Sequence, residues 1–140
     1  MLINEIANTK PKVEIALEHY KFRDALYEVI DLARKGNKYL QEKEPWIKVK
    51  QTTVDSPQTI DVQKEIDNCL HLCLQLTANL AILINPFLPN TAKKMLHLMK
   101  VKEKILDWEN AGSLKLLSMG YSLRPPEQEF RRPQAITHTQ

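Results

Sequence analysis

Residues 34–50 combine a cluster of basic side chains with a single tryptophan. The segment holds six basic residues and two acidic ones, a local charge of +4, and Trp46 follows Pro45 within it. Lysine side chains neutralise RNA phosphates, and an aromatic ring offers a flat surface on which an unpaired base stacks. The segment therefore indicates RNA binding. An alternative explanation exists, because lysines are favoured at a helix C-terminus and a tryptophan after a proline often packs into a core.

Other residue types that do chemistry are present but are not arranged as a site. Histidines occur in separate segments, at His19, His71, His97 and His138. Cys69 and Cys73 lie four residues apart in an apolar stretch, where free thiols usually pack, and with His71 they supply too few ligands for zinc. Glu42 and Glu44 lie among lysines, which keep carboxylates ionised rather than tuned for acid–base catalysis. We expect reduced cysteines, no bound metal and no catalytic residues in this chain.

The composition limits the classes of protein to which the chain can belong. It has 140 residues, 43% of them apolar and 26% charged, with a net charge of +3, which suits one domain with its own core. Its three glycines do not form a phosphate-binding loop. The apolar stretch at residues 69–90 is interrupted by polar residues and prolines, so it predicts a core helix rather than a membrane span. Residues 1–10 lack a secretion signal, and we expect a cytoplasmic location without a membrane partner.

Helical spacing of apolar residues runs through most of the chain. It predicts an amphipathic helix over residues 22–44, with Gly36 on the apolar face where a neighbouring helix can approach closely. A second helix, over residues 62–84, is predicted to pack antiparallel to the first. Residues 55–72 carry a local charge of −3, from four acidic residues and one lysine. Shorter elements are predicted in four places: a helix starting at Pro11 after a cap at Asn8 or Thr9, a loop over residues 51–59, a helix over residues 91–99 and further turns over residues 101–110.

These elements predict an all-α fold, an irregular helical bundle with short connections. The predicted division of the chain is a polar lead-in at residues 1–10, a helical domain at residues 11–123 and a tail at residues 124–140. The tail is expected to be extended or disordered, because it contains prolines and few apolar residues.

Two ordered motifs are similar to a known family. The first is Asn37-Lys38-Tyr39 followed by Pro45-Trp46, and the second is the end of the long helix followed by Pro86-Phe87-Leu88-Pro89. Together they resemble the anticodon-binding helical domain of methionyl-tRNA synthetases, a family of class I aminoacyl-tRNA synthetases. The resemblance covers residues 11–123.

The resemblance implies a domain that recognises the CAU anticodon of methionine tRNA. Trp46 would be the platform on which an anticodon base stacks, which requires that its ring be at least partly exposed, and Pro45 would fix its presentation. Asn37 and Tyr39 would pack helices and hold the loop near that surface. The basic residues that would support this surface or contact phosphates are Lys38, Lys43, Lys48 and Lys50. No DNA partner is implied.

The resemblance also implies an enzyme larger than this chain. The family joins methionine to its tRNA using ATP and magnesium, so the chain would be a C-terminal piece of a methionine–tRNA ligase. Its partner would be the catalytic domain, and no cofactor is expected on the chain itself. The family carries an asparagine and an arginine, four apart, on an earlier helix. No such helix is expected before Pro11, which should impair anticodon affinity. Two alternatives stay open: a helical protein-interaction module, and the corresponding domain of another class I synthetase.

Overall fold

The computed structural model of the chain describes residues 1–51, 57–101 and 103–117. These residues form α1 (Leu2–Glu18), α2 (Phe22–Lys43), α3 (Pro45–Gln51), α4 (Pro57–Ile84), α5 (Pro89–Leu98) and two short 3₁₀ helices, Glu103–Leu106 and Trp108–Asn110. No strand occurs among the described residues. The predicted all-α fold is confirmed. The tail predicted at residues 124–140 lies outside the part of the chain that the structure describes.

Helix α1 begins well before the predicted start at Pro11. Its buried residues recur at helical spacing on both sides of that proline: Leu2, Ile6, Thr9, Val13 and Ala16. Thr9 does not cap a helix, since its hydroxyl donates to the Glu5 carbonyl oxygen at 2.6 Å inside α1. The prediction that the first helix starts at Pro11 is therefore wrong, because residues 2–10 are helical. The absence of an earlier helix with an asparagine and an arginine four apart stays a prediction. Burial of the continuous apolar face outweighs the hydrogen bond that proline removes. The domain boundary at residue 11 stays a prediction.

Helices α1 and α2 form an antiparallel hairpin. Tyr20, in the turn between them, has a left-handed φ of 58°. At the far end of the hairpin, Lys35 Nζ donates to the Glu5 carboxylate at 2.7 Å and lies 3.0 Å from Asp31. This hydrogen bond lowers the pKa of Glu5 and raises the pKa of Lys35. The contact between an early residue of α1 and a late residue of α2 fixes the antiparallel arrangement.

Helix α4 packs against α2 in the predicted antiparallel sense. Gly36 of α2 lies against Leu76, and a Cβ atom at that glycine would overlap the leucine side chain. Earlier in α2, Val29 lines a groove with Leu80 and Ile84 from the later part of α4. Contacts therefore run in opposite directions along the two helices. The predicted close approach of a neighbouring helix at Gly36 is also confirmed.

Helix α4 is the centre of the bundle and contacts each of the other α-helices described here. It begins at Pro57, so the end of the predicted loop at residues 51–59 is helical, while residues 52–56 lie outside the described part. Thr59–Ile84 is long and apolar enough to cross a membrane by length and composition alone, with a mean hydropathy of 1.2 over an 18-residue window. Half of that window is buried inside the bundle, and Ile82 is fully covered. This burial is that of a core helix, as predicted.

A tight turn at residues 85–88 connects α4 to α5, as the prolines predict. Helix α5 begins at Pro89, slightly before the predicted residues 91–99, because proline is favoured in the first turn of a helix. The further turns predicted after α5 are the two 3₁₀ helices. The second of them is fixed to α1 by Trp108, whose Nε1 donates to the Glu14 carboxylate at 2.7 Å.

Two buried polar side chains of α4 hold residues 111–117. Asn79 Oδ1 accepts a hydrogen bond from the Gly112 N–H at 2.6 Å, and Asn79 Nδ2 donates to the Ser113 carbonyl oxygen at 2.8 Å. One turn earlier, Gln75 bonds in the same way to the backbone at the end of the segment. Buried polar groups need such partners, and here they attach irregular chain to the central helix.

Candidate nucleic-acid interface

A left-handed residue, Glu44, separates α2 from α3. Glu44 has φ 45° and ψ 51°, and its N–H donates to the Leu40 carbonyl oxygen at 3.1 Å, which closes α2. Its own carbonyl oxygen accepts the Ile47 and Lys48 N–H groups at 3.0 and 3.3 Å, which starts α3. Pro45, the first residue of α3, is buried. The sequence prediction missed α3, although a proline that can begin a helix was a signal for it.

Trp46 is the second residue of α3, and 49% of its surface is exposed. The partial exposure that a stacking role requires is therefore confirmed, and the alternative of a tryptophan covered in the core is wrong. Helix spacing places Val49 and Lys50, three and four residues further on, on the same side of α3. Both are exposed. An aromatic ring, an apolar side chain and a cationic residue thus share the outward side of one short helix.

Two further lysines lie at the end of α2, close in sequence to Trp46. Lys38 is exposed, and its Nζ lies 3.8 Å from the Glu42 carboxylate. Lys43 is exposed as well, and its Nζ lies 5.9 Å from the centre of the Tyr39 ring. Exposed pairs of this kind are weak in water, so both ammonium groups can exchange these contacts for a phosphate.

Lys48 is placed differently from the other lysines. Its Nζ donates to Glu65 Oε2 on α4 at 2.7 Å. This hydrogen bond raises the pKa of Lys48 and lowers the pKa of Glu65. Sequence reasoning did not single out Glu65, and the signal that pointed to it was the local charge of −3 over residues 55–72. The basic segment and the acidic segment meet at this pair.

The two residues predicted to support the surface differ in burial. Tyr39 is half-buried and packs against the hydrophobic core, and burial raises the pKa of its phenol. The packing role predicted for Tyr39 therefore agrees with its position. Asn37 is exposed on α2, which does not support the packing role predicted for it.

The thiols lie on α4 on the side of Tyr39 and Lys48. Cys69 is buried and Cys73 is half-buried, and both are free thiols. Burial, with a smaller contribution from the neighbouring Cys69, raises the pKa of Cys73 to about 11. Among the residues that the structure describes, no three His, Cys, Asp or Glu side chains are grouped so that they could hold a metal ion. The predicted packing of Cys69 in the core is confirmed.

This helical bundle has the fold of part of an aminoacyl-tRNA synthetase. The crystal structure of the apo form of methionyl-tRNA synthetase from Mycobacterium tuberculosis matches it with a TM-score of 0.79 and 22% identity, over 95% of this chain and 25% of the other. At this identity the match shows the fold. The family is shown by sequence: the family model of the anticodon binding domain of methionyl tRNA ligase matches residues 1–139. The chain belongs to this family.

Curated relatives support the same assignment and differ from this chain in length. Methionine–tRNA ligase of Phocaeicola vulgatus is 38% identical over 93% of this chain, and that of Bacteroides fragilis is 37% identical over 96%. Methionine–tRNA ligase of Pyrococcus abyssi is 32% identical over 93% of the chain. The chain spans 17% of the length of the first of these relatives and 18% and 16% of the other two.

Proposed function

We propose that this chain recognises the CAU anticodon of methionine tRNA as the anticodon-binding part of a methionine–tRNA ligase. One observation carries the proposal: in a chain of this family, the exposed Trp46 ring lies at the start of a helix whose first residue, Pro45, is buried. An indole that is half exposed presents a flat apolar surface that a partner can cover. An unpaired base is a partner of the right shape, because every base presents a flat face.

The surrounding lysines suit the phosphates that accompany that base. Lys50 lies on the same side of α3 as the ring, and Lys38 and Lys43 are exposed at the adjoining end of α2. Contacts with phosphates give affinity without sequence preference, and stacking of the base on Trp46 fixes the position of the anticodon loop of the tRNA. Binding is therefore expected to weaken as the salt concentration rises.

The whole ligase would join methionine to the tRNA that this part selects. ATP and magnesium serve that reaction in the catalytic portion, and no residue of this chain is assigned to them. The catalytic portion is accordingly the protein partner of this chain. We place the complex in the cytoplasm.

Binding to RNA stem-loops tests the proposal directly. Fluorescence anisotropy of the chain with a labelled CAU stem-loop is compared with a stem-loop of the same stem and a different anticodon. We expect tighter binding to CAU, and a loss of about fivefold or more for Trp46→Ala. Ile47→Ala removes another exposed apolar side chain of α3 and is the matched control, expected to bind as the wild type does. Equal binding of both RNAs, unaffected by Trp46→Ala, would refute the proposal.

A protein-interaction function is the second candidate, and a specific observation favours it. At the end of α2 opposite Trp46, Tyr20 is 81% exposed and Phe22 stacks edge-on against it, with ring centres 6.5 Å apart. Tyr20 also takes the left-handed conformation that a glycine adopts without strain. Tyr20→Gly combined with Phe22→Ser removes this surface. Loss of binding to the catalytic portion of a related ligase in this variant, together with equal binding of the CAU stem-loop and the control stem-loop by the wild type, would support the second function.

A further inference from the structure

Helix α3 is too short to hold its own position. It has seven residues, fewer than an isolated helix needs to be stable in water. It follows Glu44, whose left-handed conformation turns the chain away from the axis of α2. The direction in which Trp46 points must therefore be set by contacts between α3 and the rest of the bundle.

Two contacts of α3 with the bundle are evident. Pro45 is buried at its first residue, which fixes one end. Further along, the 2.7 Å hydrogen bond from Lys48 to Glu65 fixes α3 against α4. The Lys48 side chain is only 31% exposed, whereas Trp46 and Val49 are each about half exposed. Lys48 thus lies on the inner side of α3.

The geometry of a helix relates this contact to the tryptophan. Successive residues are about 100° apart around the axis, so Trp46 and Lys48 are separated by roughly 200°. Holding Lys48 against α4 therefore turns Trp46 away from α4 and into solvent. Lys50 is only about 40° from Trp46 and is turned outward with it.

We propose that Lys48 and Glu65 form a positioning pair that sets the outward orientation of Trp46, and that Lys48 is not a phosphate contact. This inference rests on the proposed function, because the orientation matters for binding an anticodon base. It replaces the phosphate role that the resemblance allowed for Lys48, and it gives Glu65 a role in RNA binding although a carboxylate repels phosphate.

Glu65→Gln separates the two roles of Lys48 by the sign of its effect. If Lys48 positions α3, removing the carboxylate weakens CAU stem-loop binding by about two- to fivefold, the range that one surface ion pair supplies. If Lys48 contacts phosphate, the same variant releases its ammonium group and tightens binding. Asp61→Asn, which removes an exposed acidic group from the same helix, is the matched control. It is expected to leave binding unchanged or slightly tighter.

A double-mutant cycle tests whether the two residues act together. Lys48→Gln, Glu65→Gln and the double variant are each expected to lose the same factor in affinity, since either single change already breaks the pair. Lys48→Arg keeps a cation at the same place and is expected to bind as the wild type does. Additive losses, or tighter binding by Glu65→Gln, would overturn the proposal.

The orientation of the ring is also measured without RNA. In the chain labelled with fluorotryptophan, the fluorine NMR signal of Trp46 is assigned by its absence in Trp46→Phe. Glu65→Gln is expected to shift or broaden this signal while leaving that of Trp108 unchanged, and Asp61→Asn to alter neither. An unchanged Trp46 signal would refute the positioning role. Failure of the wild-type chain to prefer CAU would refute the proposed function, and the fluorine signal would still decide the positioning role.

Discussion

The side-chain amide of Gln75 pairs with the backbone of Leu117 as one peptide group pairs with another. Gln75 Nε2 donates to the Leu117 carbonyl oxygen at 2.7 Å, and Gln75 Oε1 accepts the Leu117 N–H at 3.2 Å. The same oxygen accepts the Leu116 N–H at 2.8 Å. Gln75 is almost wholly buried, so these bonds replace its hydration. Residues 111–117 form no helix, and Gln75 of α4 supplies partners for the backbone at the end of this segment.

Gln75→Leu is therefore expected to destabilise the fold even though leucine is the more apolar residue. The change removes the Gln75 partner of the N–H groups of the buried Leu117 and the half-buried Leu116, which costs about 1–3 kcal/mol. Urea unfolding followed by tryptophan fluorescence measures the loss. Gln63→Leu, at an exposed position of the same helix, is the control and should change the free energy of unfolding by less than about 0.5 kcal/mol. A loss that small at Gln75 would show that the backbone pairing contributes nothing.

Leu76→Ala tests the packing between α2 and α4. The Leu76 side chain is buried and fills the space beside Gly36. Its truncation should lower the free energy of unfolding by about 2–5 kcal/mol, because the rigid helix backbones leave a cavity. Leu80→Ala should cost less, since Leu80 is half-buried at the edge of a groove. Chemical denaturation of both variants measures the difference, and losses below about 0.5 kcal/mol at both sites would contradict the bundle described here.

The long helices were predictable because their apolar residues repeat with the helix period. Helix α2 begins at the predicted Phe22 and ends within a residue of its predicted limit. Helix α1 was missed before Pro11 because a local rule, that proline starts a helix, was given more weight than the apolar spacing through Leu2 and Ile6. The packing of α1 on α2 decides where α1 begins. This packing is a contact between residues distant in sequence, which a rule based on neighbouring residues does not predict.

The candidate site was predictable in its residues but not in its geometry. Trp46 and the lysines follow from composition and from the family motif. Helix α3 does not, since seven residues give too few turns for a period to be recognised. The pairing of Lys48 with Glu65 was not predictable either. The two residues are brought together by the turn at Glu44 and by the packing of α3 on α4. The sequence alone shows opposite net charges in residues 34–50 and 55–72. It does not show which basic residue pairs with which acidic residue.

The two cysteines should remain reduced, metal-free and slow to react. Burial raises the pKa of Cys73 to about 11, so the reactive thiolate is scarce at neutral pH. We expect alkylation by iodoacetamide, followed by mass spectrometry, to be much slower in the folded chain than in urea. Zinc analysis of the purified protein should find no stoichiometric metal, and zinc bound through these thiols would contradict the assignment.

The same raised pKa predicts a loss of stability in alkali. The unfolded thiol loses its proton near pH 9.0 and the folded one near pH 11, so deprotonation favours the unfolded state between these values. The contribution of Cys73 is fully present below pH 9.0 and is lost as the pH rises toward 11. Unfolding of Cys73→Ser across this range, compared with the wild type, measures it. If the free energy of unfolding changes with pH in the same way for the two proteins, burial does not raise the pKa of the Cys73 thiol.

Trp46→Ala in a full-length ligase that contains this domain should separate tRNA recognition from catalysis. Loss of one stacked base is expected to lower kcat/KM for tRNA by an amount equivalent to about 1–3 kcal/mol. Formation of the methionyl adenylate from methionine and ATP should be nearly unchanged, because that step involves no anticodon. Aminoacylation and adenylate formation are measured on the same preparation, and thermal unfolding is the control for folding. Since half of the Trp46 surface is already exposed, the melting temperature should change little. Equal losses in both reactions, or a collapse of the fold, would make Trp46 a structural residue and would remove the base-stacking role proposed for it.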